Sequence, residues 1–125
     1  MQGSAGGRSS LPDTSQILKG LLEGCILSTV ASEETYGYEI CRQLAAQGFK
    51  GVSEGTVYPI LIRLQRKGLL ETTKRDSPLG PQRKYYHLTG KGADALRDFV
   101  TEWKTVRDVV ERSVEGVSSN GNRTF

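Results

Sequence analysis

The sequence holds one histidine, two cysteines and one tryptophan, and these low counts exclude several kinds of site. His87 has no cysteine, aspartate or glutamate at a useful spacing, so we expect no metal site. The chain also lacks a phosphate-cradling glycine loop, a histidine-based triad and paired carboxylates in an apolar frame. We therefore expect no catalytic residue, no cofactor and no enzyme activity. Cys25 and Cys41 lie within apolar helical patterns, which favours small buried side chains over the alternative of a redox-sensing pair.

Long hydrophobic runs are absent as well. The longest apolar stretch, Ile17 to Val30, is interrupted by Lys19 and Glu23 and is too short to cross a bilayer. The first ten residues are rich in glycine and serine and contain no apolar segment of the kind found in secretory signals. The sequence therefore predicts a cytoplasmic protein with no membrane partner.

Positive charge is concentrated in one segment of the chain. The 125 residues are 25% charged with a net charge of +3, as expected for one ordinary globular domain. Residues 63–91, however, contain eight lysines and arginines against two acidic residues, and the remainder is slightly acidic. Such a block is typical of a surface that binds phosphates, with a solvated basic surface as the alternative.

Hydrophobic periodicity predicts four helices and one hairpin. A disordered arm over 1–12 precedes a first helix capped by Asp13 or Thr14, a second helix at 36–47 and a third at 54–67, where Pro59 predicts a kink. Strands at 69–74 and 82–88 flank a seven-residue turn, and a last helix runs from 89 to about 115, before a disordered tail over 116–125. This order predicts a mainly α (α+β) fold: a winged helix-turn-helix over 13–88 with a two-stranded wing, followed by a long C-terminal dimerisation helix.

The last helix carries a longer apolar stripe than one small domain can bury. Its members recur at steps of three and four: Leu96, Phe99, Trp103, Val106, Val110 and Val114. The stripe predicts a partner subunit packed like a short coiled coil. Gly24 inside the first helix costs helix stability, which predicts the close approach of a second helix from that partner.

Hydroxyl and basic side chains on the second helix, the third helix and the hairpin are predicted to contact DNA. Hydroxyl groups at helix N-termini commonly bind phosphate oxygens, and basic side chains add a salt-dependent term. Thr56 and Tyr58 suit base edges or a thymine methyl group. Alternatively, Tyr58 packs beneath the wing and Ser53 only caps its helix. Arg63 has the alternative of pairing with a carboxylate such as Glu71. The predicted set is Tyr38, Ser53, Thr56, Tyr58, Arg63, Lys67, Lys74, Arg75, Arg83 and Lys84.

Several motifs resemble the PadR family of bacterial transcriptional regulators. They are YGYEI at 36–40, GTVYPIL at 55–61 with RL at 63–64 and KGLL at 67–70, and GPQRKYYHLT at 80–89. The resemblance covers about residues 15–115, and the single long last helix is similar to the compact subfamily. It implies a homodimer, held by the first and last helices, that represses a promoter and is released by a small molecule. Our hypothesis is a sequence-specific repressor on a palindromic operator in double-stranded DNA; the alternative is a winged-helix module that binds protein and no specific DNA.

The same resemblance implies a ligand pocket. In one multidrug-responsive branch of the family, a tryptophan of the last helix and its symmetry mate flank an apolar pore, and Trp103 matches that tryptophan. The implied pocket for a small planar aromatic ligand comprises Ile17, Leu21, Gly24, Ser28, Trp103 and Arg107. Arg107 departs from what cationic drugs favour and leaves anionic or neutral aromatic ligands open. Leu18, Leu22 and Cys25 of the first helix are expected to join the stripe in the dimer interface.

Overall fold

The structure, a computed structural model, describes residues 15–119 and the side-chain surroundings of residues 21–117. Its elements are, in chain order, α1 (Ser15–Ser32), β1 (Thr35–Tyr36), α2 (Gly37–Ala46), α3 (Glu54–Arg66), β2 (Leu70–Ser77), β3 (Gly80–Leu88) and α4 (Gly90–Ser119). The strands form one antiparallel sheet in the order β1-β3-β2. Helices α2 and α3 form a helix-turn-helix and β2 and β3 form the wing, so the predicted winged-helix fold is confirmed.

Some sequence-based expectations fall where the structure makes no statement. The arm over 1–12, the capping residues Asp13 and Thr14, and the end of the tail lie outside the described residues, as do the side chains of Ile17 and Leu18. Within the described part of the chain, no helix is both long and apolar enough to cross a membrane.

The core lies between the first three helices and the inner face of the sheet. The buried side chains of α3 recur at the helical spacing that the sequence shows, and those of α1 and α2 meet them from the other side. The largest fully buried side chains are Leu22, Ile26, Ile40, Leu44, Val57, Leu61, Leu64 and Leu70. Leu22, predicted in the dimer interface, is 2% exposed in the core of its own subunit, so that prediction is wrong: no surface of Leu22 is left for a partner.

The wing is longer and its turn shorter than predicted. The strands pair as far as Ser77 and Gly80, with an irregularity between Arg75 and Ser77, so only Pro78 and Leu79 form the turn. The sequence predicts a seven-residue turn because polar and turn-forming residues fill 75–81. Cross-strand pairing overrides that local preference. Strand β1 is missed altogether, since two residues are too few to show an alternating pattern.

Helix α3 runs without interruption from Glu54 to Arg66, through Pro59, where the sequence predicts a kink. Ser53 occupies the N-cap position with extended backbone angles, but its hydroxyl makes no capping hydrogen bond. Gly68 ends the helix with a φ of +78°, a left-handed conformation that favours glycine. The Leu69 amide then donates to the Leu64 carbonyl at 3.0 Å, which closes the helix end.

Helix α4 packs on the domain only over its first turns. Phe99 lies so close to Gly24 of α1 that a Cβ there would overlap its ring. The group that approaches Gly24 therefore comes from the same chain, and the prediction of a partner helix at that glycine is wrong. From Val100 to Gly116 every residue of α4 is exposed. The helix thus extends away from the domain and reaches Ser119, beyond the predicted end near 115.

Candidate nucleic-acid interface

The outward face of α3 is the surface that a helix-turn-helix presents to DNA. Val57, Leu61 and Leu64 point into the core, and the side opposite to them carries exposed residues at spacings of four, three and four: Gly55, Pro59, Ile62 and Arg66. Arg66 makes no hydrogen bond or ion pair with any other described residue. Sequence reasoning omitted Arg66, although it lies nine residues after Val57 and therefore half a turn around the helix from it.

Two predicted DNA contacts on α3 are directed toward α1 instead. Arg63 Nε lies 2.7 Å from Glu23 Oε2, and Lys67 Nζ lies 3.5 Å from Glu23 Oε1. The predicted alternative partner for Arg63, Glu71, is thus replaced by Glu23. Because one carboxylate faces both cations on this flank of α3, their positive charge is partly neutralised before any phosphate arrives.

The other flank of α3 forms a groove with the wing. Tyr58 packs over Gly37 at the start of α2, where a Cβ would lie 2.6 Å from the Tyr58 hydroxyl oxygen. Burial raises the pKa of Tyr58, which keeps its hydroxyl protonated. The groove has a volume of about 350 Å³ and is lined by Tyr36, Gly37, Tyr58, Ile62, Gln82, Arg83, Lys84 and Tyr86. It therefore combines an aromatic floor with hydrogen-bond donors and positive charge.

The wing places two lysines directly opposite each other. Lys74 of β2 and Lys84 of β3 are register partners, and both side chains are exposed. They share a sheet face with buried Tyr86, because residues two apart along a strand point to the same side. Neither lysine forms an ion pair with a described residue. Like charges opposite each other destabilise a sheet, so this pair favours an anion between or beside them.

The next cross-strand pair, Arg75 and Arg83, lies on the opposite face of the wing and is engaged within the protein. Arg75 forms an ion pair with Glu34 and stacks 4.4 Å from the centre of the Tyr85 ring. Arg83 stacks 4.4 Å from the Tyr36 ring, and the two tyrosines are 5.4 Å apart. These contacts attach the base of the wing to β1 and to the turn before it. Both arginines are thus predicted DNA contacts that also brace the hairpin.

The remaining predicted contacts occupy the ends of the two short helices. Tyr38 is 56% exposed at the start of α2, and Ser53 is exposed just before α3. Thr56 is half-buried in the first turn of α3. The structure thus brings Tyr58, Arg83 and Lys84 together in the groove, with Lys74 opposite Lys84. It separates Arg63 and Lys67 from them.

The predicted ligand pocket and dimer interface lie along α1 and α4. Trp103 is 39% exposed, beyond Phe99 on the same face of α4. On α1, Leu21 and Cys25 are half-buried, Ser28 is exposed and Gly24 is covered by Phe99. The remaining members of the two predicted sets have these positions: Leu96 packs against the subunit's own core, Arg107 Nη2 lies 3.0 Å from Asp108 Oδ1, and Val106, Val110 and Val114 are exposed.

Both cysteines have the surroundings of structural residues. Cys41 is buried and Cys25 half-buried, and both thiols are free. Burial raises the pKa of each thiol, which disfavours the thiolate that redox chemistry requires.

The order of helices, the wing and the cationic groove beside α3 define a winged-helix DNA-binding protein. Comparison with known proteins gives its family: residues 26–98 match the family model described as "Transcriptional regulator PadR-like family". The chain belongs to this family, whose members are transcription factors and not enzymes, and it is a DNA-binding transcriptional regulator. The resemblance seen in the sequence is thereby confirmed.

Individual relatives agree with this membership. A PadR-like transcriptional regulator of Bacillus cereus has a crystal structure with 49% identity and a TM-score of 0.74, covering 80% of this chain and 97% of that one. A PadR family regulator of Eggerthella lenta shares 31% identity with a TM-score of 0.72, covering 80% and 87%. A transcriptional regulator of Mycobacterium tuberculosis is 36% identical over 101 residues, which are 79% of this chain and 89% of that protein.

Proposed function

We propose that this protein is a homodimeric, cytoplasmic repressor that binds a palindromic operator in double-stranded DNA and is released by a small aromatic ligand. The observation that carries the DNA-binding geometry is the groove between α3 and the wing, with Lys84 on its wall and Lys74 opposite. In this arrangement α3 enters the major groove with Arg66 and Ile62 outermost. A phosphate of the DNA backbone that borders this major groove then lies against the wing lysines and the Tyr58 hydroxyl.

The basic residues predicted to contact phosphates differ in whether a carboxylate of the protein already pairs with them. Glu23 holds Arg63 and Lys67, and Glu34 holds Arg75. These ion pairs are exposed and individually weak, so a phosphate can compete for them, but only by displacing a carboxylate. Lys74, Lys84 and Arg66 carry no such cost. Arg83 also faces no carboxylate, but its guanidinium group is stacked on the Tyr36 ring. We therefore assign the main salt-dependent contacts to the two lysines and Arg66.

The homodimer rests on the exposed half of α4. Trp103, Val106, Val110 and Val114 continue, turn by turn, the face with which Phe99 packs on α1. An apolar stripe of this length is unfavourable in contact with water, which favours its burial against a partner. A second copy of α4 presents a matching stripe of the same spacing. Two subunits joined in this way carry two α3 helices, which suits an operator with two related half-sites.

The ligand is proposed to bind beside Trp103 and its symmetry mate. Trp103 is 39% exposed on the stripe, and the α1 residues that we assign to the same pocket include half-buried Leu21 and exposed Ser28. An aromatic ligand between two indole rings would bury apolar area and gain stacking energy. Arg107 is paired with Asp108, so an anionic ligand could bind the Arg107 guanidinium only by displacing that carboxylate. This favours a neutral planar ligand over an anionic one.

The wing assignment predicts different salt dependence for two lysines. Lys84→Ala should lower the slope of log affinity against log salt by about 0.9 per lost phosphate contact, or about 1.8 for a dimer. Lys67→Ala removes the same charge but one that already faces Glu23, and it should leave the slope nearly unchanged. Fluorescence anisotropy with a labelled operator over a series of salt concentrations measures both slopes. Equal slopes for the two variants would remove the basis for the wing assignment.

The alternative function, a protein-interaction module, is tested by selecting fragments from random-sequence DNA with the full chain. An enriched motif with two related halves supports the repressor, whereas no enrichment supports the module. Ligand binding is tested separately, because Trp103 is the single tryptophan of the chain. Planar neutral aromatic compounds should quench its fluorescence and weaken operator binding in the same concentration range. Quenching without any change in DNA affinity would contradict release by the ligand.

A further inference from the structure

Ile62 is exposed at a position where the subunit does not use it for packing. Its side chain is 49% exposed, whereas the neighbouring aliphatic residues of α3, Ile60, Leu61 and Leu64, are at most 8% exposed. Ile62 lies on the outward face of the helix, between Pro59 and Arg66. About half of this branched apolar side chain is therefore accessible on the outward side of α3, where it is available to whatever α3 binds.

The chemistry of the major groove limits what such a side chain can recognise. Guanine, adenine and cytosine present hydrogen-bond donors or acceptors there, and the C5 methyl group of thymine is the apolar feature. An isoleucine can neither donate nor accept a hydrogen bond, so placing it on a polar base edge removes water without replacing the lost bonds. Against a thymine methyl group, the same contact buries apolar surface on both partners.

The residues next to Ile62 on this face do not change that preference. Gly55 has no side chain and Pro59 has neither a side-chain polar group nor an amide donor, so the middle of the outward face is apolar. Arg66, one turn further on along this face, is suited to a guanine, whereas the adjacent Arg63 is directed toward Glu23. Thr56, which the sequence suggests for a thymine methyl contact, is half-buried and lies to the side of this face.

We infer that Ile62 is a specificity-determining residue that reads the methyl group of a thymine in each half of the operator. This inference rests on the proposed function, because it requires α3 to enter the major groove of a specific site. Beyond the proposed function, it specifies thymine as the base that the centre of α3 selects. It also explains how a helix with few side chains suited to hydrogen-bonded base recognition can still discriminate between sequences.

The test removes single methyl groups from the DNA. An operator obtained by selection with the full chain is resynthesised with each thymine replaced in turn by deoxyuridine, which lacks only the methyl group. At one thymine per half-site, the replacement should weaken binding by about fourfold, the factor expected for one buried methyl-sized group. Replacing both symmetric thymines should weaken it by about 15-fold if the two contacts are additive.

Protein variants then assign the effect to Ile62. In Ile62→Ala, which removes a half-exposed side chain and leaves the core intact, the penalty at that thymine should disappear. Leu79→Ala is the matched control, because Leu79 is an apolar side chain 97% exposed at the wing tip, and the full penalty should persist. If Ile62→Ala binds the operator and every uracil penalty equals that of the unmodified protein, the inference is wrong. If the unmodified protein selects no operator, the proposed function fails first.

Discussion

Gly92 joins the long helix to the end of the DNA-facing helix, and replacing it with alanine should separate the two. A Cβ at Gly92 would overlap the carbonyl oxygen of Leu69 and lie 3.0 Å from both its carbonyl carbon and Leu88 Cδ1. The obstructing atoms are backbone, which cannot turn aside as a flexible side chain can. The start of α4 must therefore move away from Leu69.

The cost of that movement follows from the bonds at this joint. The Thr89 hydroxyl donates to the Gly68 carbonyl at 2.7 Å and accepts from the Gly92 amide at 2.9 Å, and the Thr89 amide donates to the Leu69 carbonyl at 3.1 Å. Losing two of these bonds costs about 2 kcal/mol, and overpacking adds about 1–3 kcal/mol. Alanine regains about 1 kcal/mol of helix propensity. The free energy of unfolding should fall by about 2–4 kcal/mol.

Urea denaturation at one fixed protein concentration measures this loss, with the concentration held constant because any self-association shifts the midpoint. Gly90→Ala is the matched control, since the same substitution two residues earlier places a Cβ with no atom within 4 Å. Gly90→Ala should be neutral or slightly stabilising. A Gly92→Ala protein as stable as the Gly90→Ala protein would refute the close packing of α4 on Leu69.

Three further predictions concern other contacts. In Gly24→Ala the displaced Phe99 ring should cost about 1–3 kcal/mol, and the helix propensity of alanine should return about 1 kcal/mol. Thermal unfolding should therefore show a net loss of up to about 2 kcal/mol, of which adding Phe99→Leu should recover part. Glu34→Ala should release Arg75 and speed amide hydrogen exchange in the wing, and unchanged exchange would contradict the bracing role. The pKa of Glu39 is lowered to about 2, mainly by hydrogen bonds from Arg42 and then Gln43. The ionised Glu39 therefore stabilises the folded protein fully above its unfolded pKa, and this contribution is lost as the pH falls toward 2. Urea midpoints should therefore decrease more steeply with acidification below pH 4.5 in the unmodified protein than in Glu39→Gln.

The sequence predicts the order of elements because each carries a clear periodic pattern, but it does not predict which neighbours neutralise which charges. Arg63 and its partner Glu23 are 40 residues apart, and Arg75 and Glu34 are 41 apart. No local pattern connects such residues, since the pairs exist only after α1 has packed against α3 and the wing against β1. Periodicity does decide which face a residue occupies. Arg66 and Ile62 could have been assigned to the outward face of α3 from the buried Val57 and Leu64 alone.

The joint at Gly92 also defines how the two ends of α4 are related. Trp103 lies 11 residues beyond Gly92, about 16 Å along the helix, and every residue from Val100 to Gly116 is exposed. At the other end, Thr89 and Gly92 contact Gly68 and Leu69, the residues that immediately follow α3 and its cap. A change in the angle between two α4 helices in a dimer would therefore move each α3 as a rigid body, because no mobile linker separates them. In the proposed dimer, the spacing of the two α3 helices, and not the side chains of either one, is then the quantity that the proposed ligand beside Trp103 would alter.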